Sequence, residues 1–445
     1  MADPLDPAFT TPRMAEIFSE RSRFAAMLRF ESALAQAEAR AGVIPMEAAE
    51  AIAAVAQVDR FDVQAMLDDA AVAGTPAIPV VRRLTELAAE AGRGYVHWGA
   101  TTQDATDTGL MLQAREGLDA LDEDLVGLGA ACTTLAEEHA ATIMLGRTLL
   151  QQAMPITFGL KAARWLDPVT GRIEALRVAR AGLPVQLGGA VGTLAALGES
   201  GPRVIELLAE ELDLVAPALP WHTDRSLVAG LGSALSITAG TVAKIGIDVV
   251  LLSQAEVGEV GEGLSEGAGR SSAMPNKRNP VDAPAVIAAA RLASASPLID
   301  GMVQEHERGA GIWQAEWPAL RDAFRYTAAA VHRARHMVEH LEVHPERMRE
   351  NLEAGRGLAM AESLVMALAR KVGRDRAYGL VARVVGRARE EGVSLEDAVR
   401  KESAVTDVLE EREIAGALDP GRYLGSSEEL IRRAVARFRG VPSRS

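Results

Sequence analysis

The chain has 445 residues, 48% of them hydrophobic, and a formal net charge of −14 at pH 7. This length allows two or three domains around a large buried core. The acidic balance argues against a nucleic-acid-binding protein, which needs a basic stripe for phosphates. The single cysteine, Cys132, excludes a disulfide framework within the chain and is typical of a reducing compartment, so we expect a cytoplasmic protein. Residues 1–7 have neither the basic segment nor the apolar core of a signal peptide.

The spacing of apolar residues predicts an all-α fold of three helical domains. Residues 1–94 form short helices separated by glycines and prolines, residues 95–341 contain long helices, and residues 342–445 return to shorter amphipathic helices. No alternating run of strand length competes with this prediction. We expect a long helix with one apolar seam and one wet face where apolar residues recur at intervals of three and four. These residues are Met111, Ala114, Leu118, Leu121, Leu125, Leu128, Cys132 and Leu135.

Two hydroxyl side chains, Thr101 and Thr102, precede this long helix. Hydroxyl groups at such a position cap a helix, and together with the free N–H groups of the first turn they also bind anions. The residues alone leave both interpretations open.

A second long helix, over residues 227–252, differs because apolar residues occupy nearly every face. A helix with no polar face must be surrounded. Lys244, Asp248 and several glycines argue against a span through lipid. We therefore expect other subunits of an oligomer to cover this helix. The central helix of a monomeric bundle is the alternative.

A loop with reactive groups at its end follows this helix. Residues 261–268 carry several glycines and little bulk, and Ser271, Ser272 and Lys277 come next. A Gly-rich segment of this kind has the layout of a catalytic lid. A serine close to an ammonium group and to backbone N–H groups loses its proton more readily and acts as a base. An ordinary surface loop is the alternative.

Three regions resemble the motifs of the fumarase/aspartase superfamily. Residues 269–280 resemble its GSSxMPxKxNP signature, with Arg270 at the glycine position. Residues 96–104 resemble H-x-G-x-T-S-x-D, with Thr102 in place of serine, and residues 145–155 resemble G-R-T-H-x-Q-x-A-x-P. The regions occur in the family's order, and the resemblance spans essentially the whole chain.

This resemblance implies an active site for a small polycarboxylate, without metal or cofactor. Ser271 would remove the proton alpha to a carboxylate, and Lys277 and Asn279 would stabilise the resulting dianion together with backbone N–H groups of the loop. The resemblance also implies a homotetramer, built on the central bundle, whose active sites draw residues from three subunits. The implied substrate-binding residues are His97, Thr101, Thr102, Thr148, Gln151, Ser272, Met274 and Arg308. Whether His97, His222 or His306 transfers protons stays open.

The residue at position 149 bears on the reaction. Succinate-type lyases of this superfamily carry a histidine here that protonates the leaving group, whereas this chain has Leu149. An alkoxide, with a conjugate acid of pKa about 15.7, leaves slowly without a proton. A carboxylate, with a conjugate acid of pKa about 4, leaves unaided. Leu149 therefore suits a weakly basic leaving group, unless a histidine elsewhere supplies the acid.

Two tryptophans argue against adenylosuccinate lyase. That branch has serine and arginine, for a nucleotide phosphate, at the positions of Trp313 and Trp317. An indole ring cannot neutralise a phosphate. Both tryptophans are equally compatible with a place in the core.

Local features resemble the bacterial 3-carboxy-cis,cis-muconate cycloisomerase family of protocatechuate degradation, namely residues 14–21, 221–225, 304–308 and 423–425. The implied reaction is reversible lactonisation of a muconate carboxylate. Asn276 and Leu149 depart from that family's usual residues, so the exact substrate and the stereochemistry stay open. The alternatives are a lyase of the nitrosuccinate type, an amine-releasing lyase with a relocated acid, and a catalytically silent scaffold. The intact Ser271, Lys277 and Asn279 argue against the scaffold.

Overall fold

A computed structural model describes residues 8–263 and 268–442. The predicted absence of a signal peptide at residues 1–7, and residues 264–267 of the predicted lid, lie outside the described residues. Within the described ranges the chain is mainly helical, with two small two-stranded sheets. The predicted all-α class is confirmed.

The helices fall into a few long ones and many short ones. The four longest are α7 (Thr102–Glu138), α8 (Phe158–Ala181), α10 (Ser226–Leu252) and α13 (Ile312–Glu339). Before α7 come α1 (Pro12–Ile17), α2 (Glu20–Arg40), α3 (Met46–Ala53), α4 (Val63–Ala73), α5 (Ala77–Leu87) and α6 (Glu90–Arg93). Between the long helices lie α9 (Gly201–Leu212), α11 (Asp282–Leu292) and α12 (Ser296–Asp300). The last are α14 (Pro345–Ala354), α15 (Ala361–Val372), α16 (Arg374–Glu391), α17 (Leu395–Arg400), α18 (Ser403–Thr406), α19 (Glu411–Leu418) and α20 (Ser427–Arg439).

Two antiparallel strand pairs correct the expectation of no strands. Strands β1 (Ile143–Thr148) and β2 (Gln151–Thr157) form a hairpin, and β3 (Val260–Glu262) pairs with β4 (Leu341–Val343). The sequence does not reveal β1, because Met144, Leu145 and Gly146 are buried in succession. A continuous buried run lacks the alternation by which half-buried strands are recognised.

The described chain divides into two compact units, each built from three segments. The first contains the residues up to 125 together with 172–241 and 285–332, and the second contains 126–171, 242–284 and the residues from 333 onward. Residues of α7, α8, α10 and α13 contribute to both units. The division into domains 1–94, 95–341 and 342–445 stays a prediction.

The first unit combines an apolar core with a buried ionic cluster. Residues of α2, α3 and α9, among them Phe24, Ile52 and Leu208, form the apolar part. Near the start of α10, the guanidinium of Arg225 is fully buried and paired with Asp107 at 2.8 Å and Glu316 at 2.6 Å. A buried cation needs such partners, because isolated burial of its charge is costly.

The second unit has its own apolar core, formed by residues of α15 to α19 such as Leu364, Val381 and Ile414. A separate polar contact joins two long helices of this unit, where Trp165 Nε1 donates to Asp248 Oδ2 at 2.8 Å. Asp248 also pairs with Lys244 one turn earlier on α10. The two charges noted within the apolar segment thus neutralise each other.

Helix α7 confirms the predicted apolar seam, since all eight residues of the pattern are buried. The predicted wet face begins only at Glu116, because every residue from Gln103 to Arg115 is buried. Polar side chains in that buried stretch are bonded: Thr108 Oγ1 donates to the carbonyl of Gln186, and Arg115 Nη1 donates to the carbonyl of Leu212. The start of α7 therefore belongs to a polar interior.

Helix α10 keeps one face that no other described residue covers. Ile237 is 54% exposed and Ile247 is 41% exposed, and a Cβ added at Gly230 or Gly240 would meet no atom within 4 Å. By length and composition α10 could cross a membrane, and 44% of its most apolar window is buried within the chain. Core helices of proteins with no membrane segment pass the same test. The side of α10 marked by Gly230, Ile237, Gly240 and Ile247 is called the open face below.

Candidate active site

A buried carboxylate, Asp104, organises the N-terminal end of α7. Its oxygens accept hydrogen bonds from the backbone N–H groups of Thr101 at 2.9 Å, Gly188 at 3.1 Å and Gly189 at 3.0 Å. The ring Nε2 of His222, which is 4% exposed, lies 2.7 Å from the same carboxylate. Asp104 therefore joins three separate segments of the chain and holds the residues before α7 in a fixed conformation.

Arg308 and Thr101, two of the predicted substrate-binding residues, are in direct contact. The Arg308 guanidinium donates to Thr101 Oγ1 at 2.9 Å and to the carbonyl of Ala190 at 3.0 Å. Both side chains are partly exposed. An accessible guanidinium beside a hydroxyl and the first turn of a 37-residue helix favours a carboxylate ligand.

His97 lies on the same stretch and is held by a buried acid. Its Nδ1 is 2.6 Å from Glu31 Oε1, and Glu31 is 1% exposed. Burial alone would lower the pKa of His97, but the charge and hydrogen bond of Glu31, helped by the charge of Asp104, outweigh burial and raise it. The His97 backbone has a φ of 58°, which is uncommon outside glycine. The contact fixes which ring nitrogen remains to face a ligand.

In the second unit, the β1–β2 hairpin presents Thr148 and Gln151. These two residues pair directly across the hairpin, next to its two-residue turn. The turn residues Leu149 and Leu150 have φ angles of 50° and 64° and are 96% and 74% exposed. Positive φ at both central positions is the requirement of a type I′ turn, which usually selects glycine or asparagine. The geometry of the turn therefore does not explain why both positions carry an exposed leucine.

A buried ion pair fixes the base of this hairpin. Arg147 donates from Nη1 and Nη2 to the two oxygens of Glu259, at 2.8 and 2.7 Å. Glu259 is completely buried and also accepts from Asn351 Nδ2 at 2.8 Å. Such a two-pronged pair is geometrically specific, so it orients the strand that ends at Thr148.

The loop that carries Ser271 folds back on itself. The Asn279 N–H donates to the carbonyl of Gly269 at 2.8 Å, and Lys277 N–H donates to the carbonyl of Met274 at 3.0 Å. These two backbone bonds close the loop between Gly269 and Asn279, and the catalytic roles of Ser271, Lys277 and Asn279 stay predictions.

Backbone donors point at the proposed base. Ser271 Oγ accepts from the N–H groups of Ala273 at 3.3 Å and Met274 at 3.0 Å. Hydrogen bonds to the ionised form of a group favour that form. The arrangement thus favours a serine alkoxide. The activation of Ser271 as a base stays a prediction.

One carboxylate anchors both ends of the loop. Glu262 ends β3, just before the loop, and its oxygens accept from the N–H groups of Val281, Asp282 and Ala283 at 2.7, 3.0 and 2.8 Å. These donors belong to the start of α11, where a negative charge is favoured. These three bonds tie the end of β3 to the start of α11.

Comparison with known proteins identifies the family. The family described as "Lyase" matches residues 8–293, and the family described as "Adenylosuccinate lyase C-terminus" matches residues 357–434. The chain belongs to the fumarase/aspartase lyase superfamily.

Relatives within the superfamily cover nearly the whole chain. The 3-carboxy-cis,cis-muconate cycloisomerase of Pseudomonas aeruginosa is 44% identical over 438 residues, covering 97% of this chain and 95% of that protein. The nitrosuccinate lyase of Streptomyces davaonensis is 39% identical over 449 residues, covering 98% of this chain and 94% of that protein. The crystal structure of the 3-carboxy-cis,cis-muconate lactonizing enzyme from Pseudomonas putida has a TM-score of 0.90 at 42% identity, covering 98% of this chain and 99% of that one.

The structure of this superfamily member adds groups that the sequence did not single out as important. Asp104 appeared only as the last residue of a motif, and His222 only as an alternative acid. Glu31 and the segment around Gly188 carried no signal, because their partners are distant in the sequence. Thr101 Oγ1 accepts from Arg308, and the binding of an anion by this hydroxyl stays a prediction.

Trp313 proves to be a core residue. It is 4% exposed, and its Nε1 donates to Asp107 Oδ1 at 2.9 Å. Its ring meets Trp317 edge-on, with centroids 4.9 Å apart. The first of the two tryptophans therefore supports the buried ionic cluster around Arg225.

Proposed function

We propose that this chain is a 3-carboxy-cis,cis-muconate cycloisomerase. The observation that carries the proposal is the near full-length likeness to such enzymes, at 44% identity in sequence and a TM-score of 0.90 in structure. Leu149 agrees with it, because a carboxylate needs no acid to leave or to attack. We assign the enzyme to the cytoplasm and to protocatechuate degradation.

In the lactonisation direction, a carboxylate oxygen of the substrate adds to a carbon–carbon double bond and forms the ring C–O bond. The double-bond electrons move into an adjacent carboxylate, giving an aci-carboxylate dianion. Lys277, Asn279 and loop N–H groups stabilise this charge. Ser271 then delivers its proton to the alpha carbon, and solvent returns a proton to the serine. The trianion thus takes up one proton and becomes a dianionic lactone.

The other proposed residues hold the substrate's remaining carboxylates. The accessible Arg308 guanidinium and the Thr101 hydroxyl provide charge and a hydrogen-bonding group in one place. His97 and Thr102 lie on either side of Thr101 in the sequence. Thr148 and Gln151 offer polar groups from the hairpin, and Ser272 and Met274 belong to the loop. Precise placement of the reacting carboxylate holds this intramolecular step in its reactive geometry.

The test is an ultraviolet assay of the purified protein on 3-carboxy-cis,cis-muconate, because ring closure removes the conjugated diene. Nitrosuccinate and a panel of succinyl amines are assayed in parallel for release of fumarate. Loss of diene absorbance with the muconate alone supports the proposal. Fumarate release without any muconate turnover overturns it.

A nitrosuccinate lyase is the second candidate, because such an enzyme is 39% identical to nearly the whole chain. Nitrite is also a weakly basic leaving group, so Leu149 fits this reaction equally well. The two candidates separate on substrate, since only the nitrosuccinate reaction releases fumarate together with nitrite.

We further propose a homotetramer with α10 at its centre and with active sites shared between subunits. Support comes from the open face of α10, whose exposed isoleucines and glycines leave room for another helix. Exposed apolar surface of this extent on a long helix favours association.

The expected result is a tetrameric mass by light scattering at micromolar concentration. Ile237→Glu is expected to lower that mass and the activity together, because a charge would be buried at the centre of the assembly. Val72→Glu is the matched control, since Val72 is 91% exposed on α4. A folded, active monomer, or a protein that requires detergent, would contradict the assembly.

Leu149→His is expected to leave turnover of the muconate unchanged or lower. A carboxylate leaving group gains nothing from an added acid. The fold should tolerate the change, because Leu149 is 96% exposed at a φ of 50°, where histidine is commoner than leucine. The measurement is kcat for the variant on the muconate and on succinyl amines.

Leu150→His is the matched control, since this neighbour shares the turn and has a φ of 64°. A gain on a succinyl amine confined to Leu149→His, with neither protein acting on the muconate, would establish an amine-releasing lyase instead.

A further inference from the structure

A small cavity in the first unit lies apart from the residues assigned to the substrate. It has a volume of about 110 Å³ and is lined by Glu20, Arg23, Thr106, Gln113, Trp317 and Arg321, together with apolar side chains. None of its lining residues belongs to the predicted catalytic or substrate-binding set. A single water needs roughly 10–15 Å³ measured in this way, so the cavity has room for several waters or one small ion.

Two N–H donors at this cavity are buried and have no acceptor within the described part of the chain. The atoms are Arg23 Nη2 and Trp317 Nε1. The Arg23 guanidinium lies over the Trp317 ring, 4.8 Å from its centroid. Its Nη1 is 3.6 Å from Glu20 Oε2, which is too long for a good hydrogen bond. Buried donors without a partner are rare and destabilise the folded state.

The remaining polar groups of the lining are already engaged. Thr106 Oγ1 donates to the carbonyl of Thr102 at 2.9 Å, and Gln113 Nε2 donates to the carbonyl of Ile17 at 2.8 Å. Both side chains act as donors in these bonds, so neither bond involves an acceptor for Arg23. The lining atoms that lack a hydrogen-bond partner among the described residues are therefore both donors.

The charged side chains that line the cavity also favour an anion, because two are positive and one is negative. Arg321 also lines it and donates from Nε to Asp322 at 3.0 Å. Burial, and in addition the positive charge of Arg321, lower the pKa of Arg23, while Glu20 acts in the opposite direction. Two guanidinium groups therefore share one confined space with a single, partly exposed carboxylate, Glu20.

We propose that this cavity is a binding site for a small oxyanion, such as a carboxylate or inorganic phosphate, held by Arg23, Arg321 and the indole N–H of Trp317. An oxyanion supplies several acceptor oxygens and a negative charge at once, so it satisfies both orphan donors and relieves the repulsion between the arginines. Chloride has the charge but cannot accept in the directional manner of a planar or tetrahedral oxyanion.

The position of the site connects it to the start of α7. Thr106 lies four residues after Thr102, or roughly 6 Å along the helix axis, and is hydrogen-bonded to it. An ion bound here therefore stabilises the part of α7 whose first turn faces the proposed substrate. The inference does not depend on the proposed reaction.

The test compares acetate, phosphate and chloride as ligands of the full-length protein at constant ionic strength. The midpoint of thermal unfolding is followed against ligand concentration, because a ligand that binds the folded state raises it. Acetate or phosphate should raise the midpoint more than chloride. The apparent Kd values of acetate and phosphate are then compared. The lower value shows whether the site prefers a carboxylate or a phosphate.

Two variants and one control make the test specific. Arg321→Gln should weaken the apparent Kd about tenfold, and Trp317→Phe, which keeps the ring and removes the donor, about threefold. Arg203→Gln should leave the Kd unchanged, since Arg203 is 55% exposed and paired with Glu206 elsewhere.

An oxyanion effect no larger than that of chloride overturns the proposal, as does an unchanged Kd in Arg321→Gln. Because the readout is folding and not turnover, these results are independent of whether the muconate is the substrate.

Discussion

Ser271→Ala is expected to lower kcat on 3-carboxy-cis,cis-muconate by roughly 10²–10⁴-fold with the fold intact, the range for removal of a positioned proton-transfer group. In the structure, Ser271 Oγ receives two backbone N–H groups, from Ala273 and Met274. These donors favour the alkoxide that must exist when the proton is on the substrate. The measurement is steady-state turnover by ultraviolet absorbance, with circular dichroism as the check of folding.

Ser294→Ala is the matched control, because Ser294 is an exposed serine outside the loop. It should retain full activity. Loss of the Ser271 hydroxyl leaves the loop N–H groups at the surface, where water replaces it, so the loop itself should persist. A folded Ser271→Ala variant with near-normal kcat would falsify the role assigned to this serine.

Glu38→Gln is expected to remove a large pH dependence of stability. Glu38 is fully buried on α2, and neither of its carboxylate oxygens has a hydrogen-bond partner among residues 8–263 and 268–442. Burial, reinforced by the charge of Glu31, raises the pKa of Glu38 from 4.5 to about 9. Between these values the unfolded chain loses a proton that the folded chain keeps. The stability of the folded state therefore falls as the pH rises through this window.

The measurement is the free energy of unfolding by urea from about pH 5 to about pH 8, at one protein concentration. Relative to Glu38→Gln, the unaltered protein should lose roughly 2–4 kcal/mol across this range. His97 acts in the same direction, because its raised pKa gives stability that is present below pH 6.5 and lost above its folded pKa. Comparison with the variant cancels that contribution.

Glu50→Gln is the control, since Glu50 is an exposed residue of α3. It should follow the pH dependence of the unaltered protein. Parallel curves for all three proteins would mean that Glu38 ionises normally in the folded state, and that water reaches its carboxylate.

The helical architecture was predictable because its signal is local. The seam from Met111 to Leu135 depends only on residues three and four apart, and the structure buries every one of them. The apolar helix over residues 227–252 was recognised in the same way. The hairpin of β1 and β2 was not, because a buried strand leaves a continuous apolar run that a helix also permits.

The reactive loop was predictable from its motif, and the groups that position the site were not. Ser271, Lys277 and Asn279 lie within nine residues of one another in a recognisable string. Asp104 is bonded to Gly188 and His222, and His97 to Glu31, and the partners in each pair are at least 66 positions apart in the sequence. No local sequence pattern predicts which distant residues form these hydrogen bonds.

By itself the sequence determined the all-α class, the long helices, the loop that carries the serine and the superfamily. These features reside in spacing and in short strings, which neighbouring residues encode. Only the tertiary structure decided that Asp104 joins three segments, that Glu31 holds His97, that Glu38 is buried without a partner and that Arg23 and Trp317 face a cavity. The physical reason is that burial and pairing depend on which distant segments pack together, and a buried polar group acquires its chemistry from those neighbours.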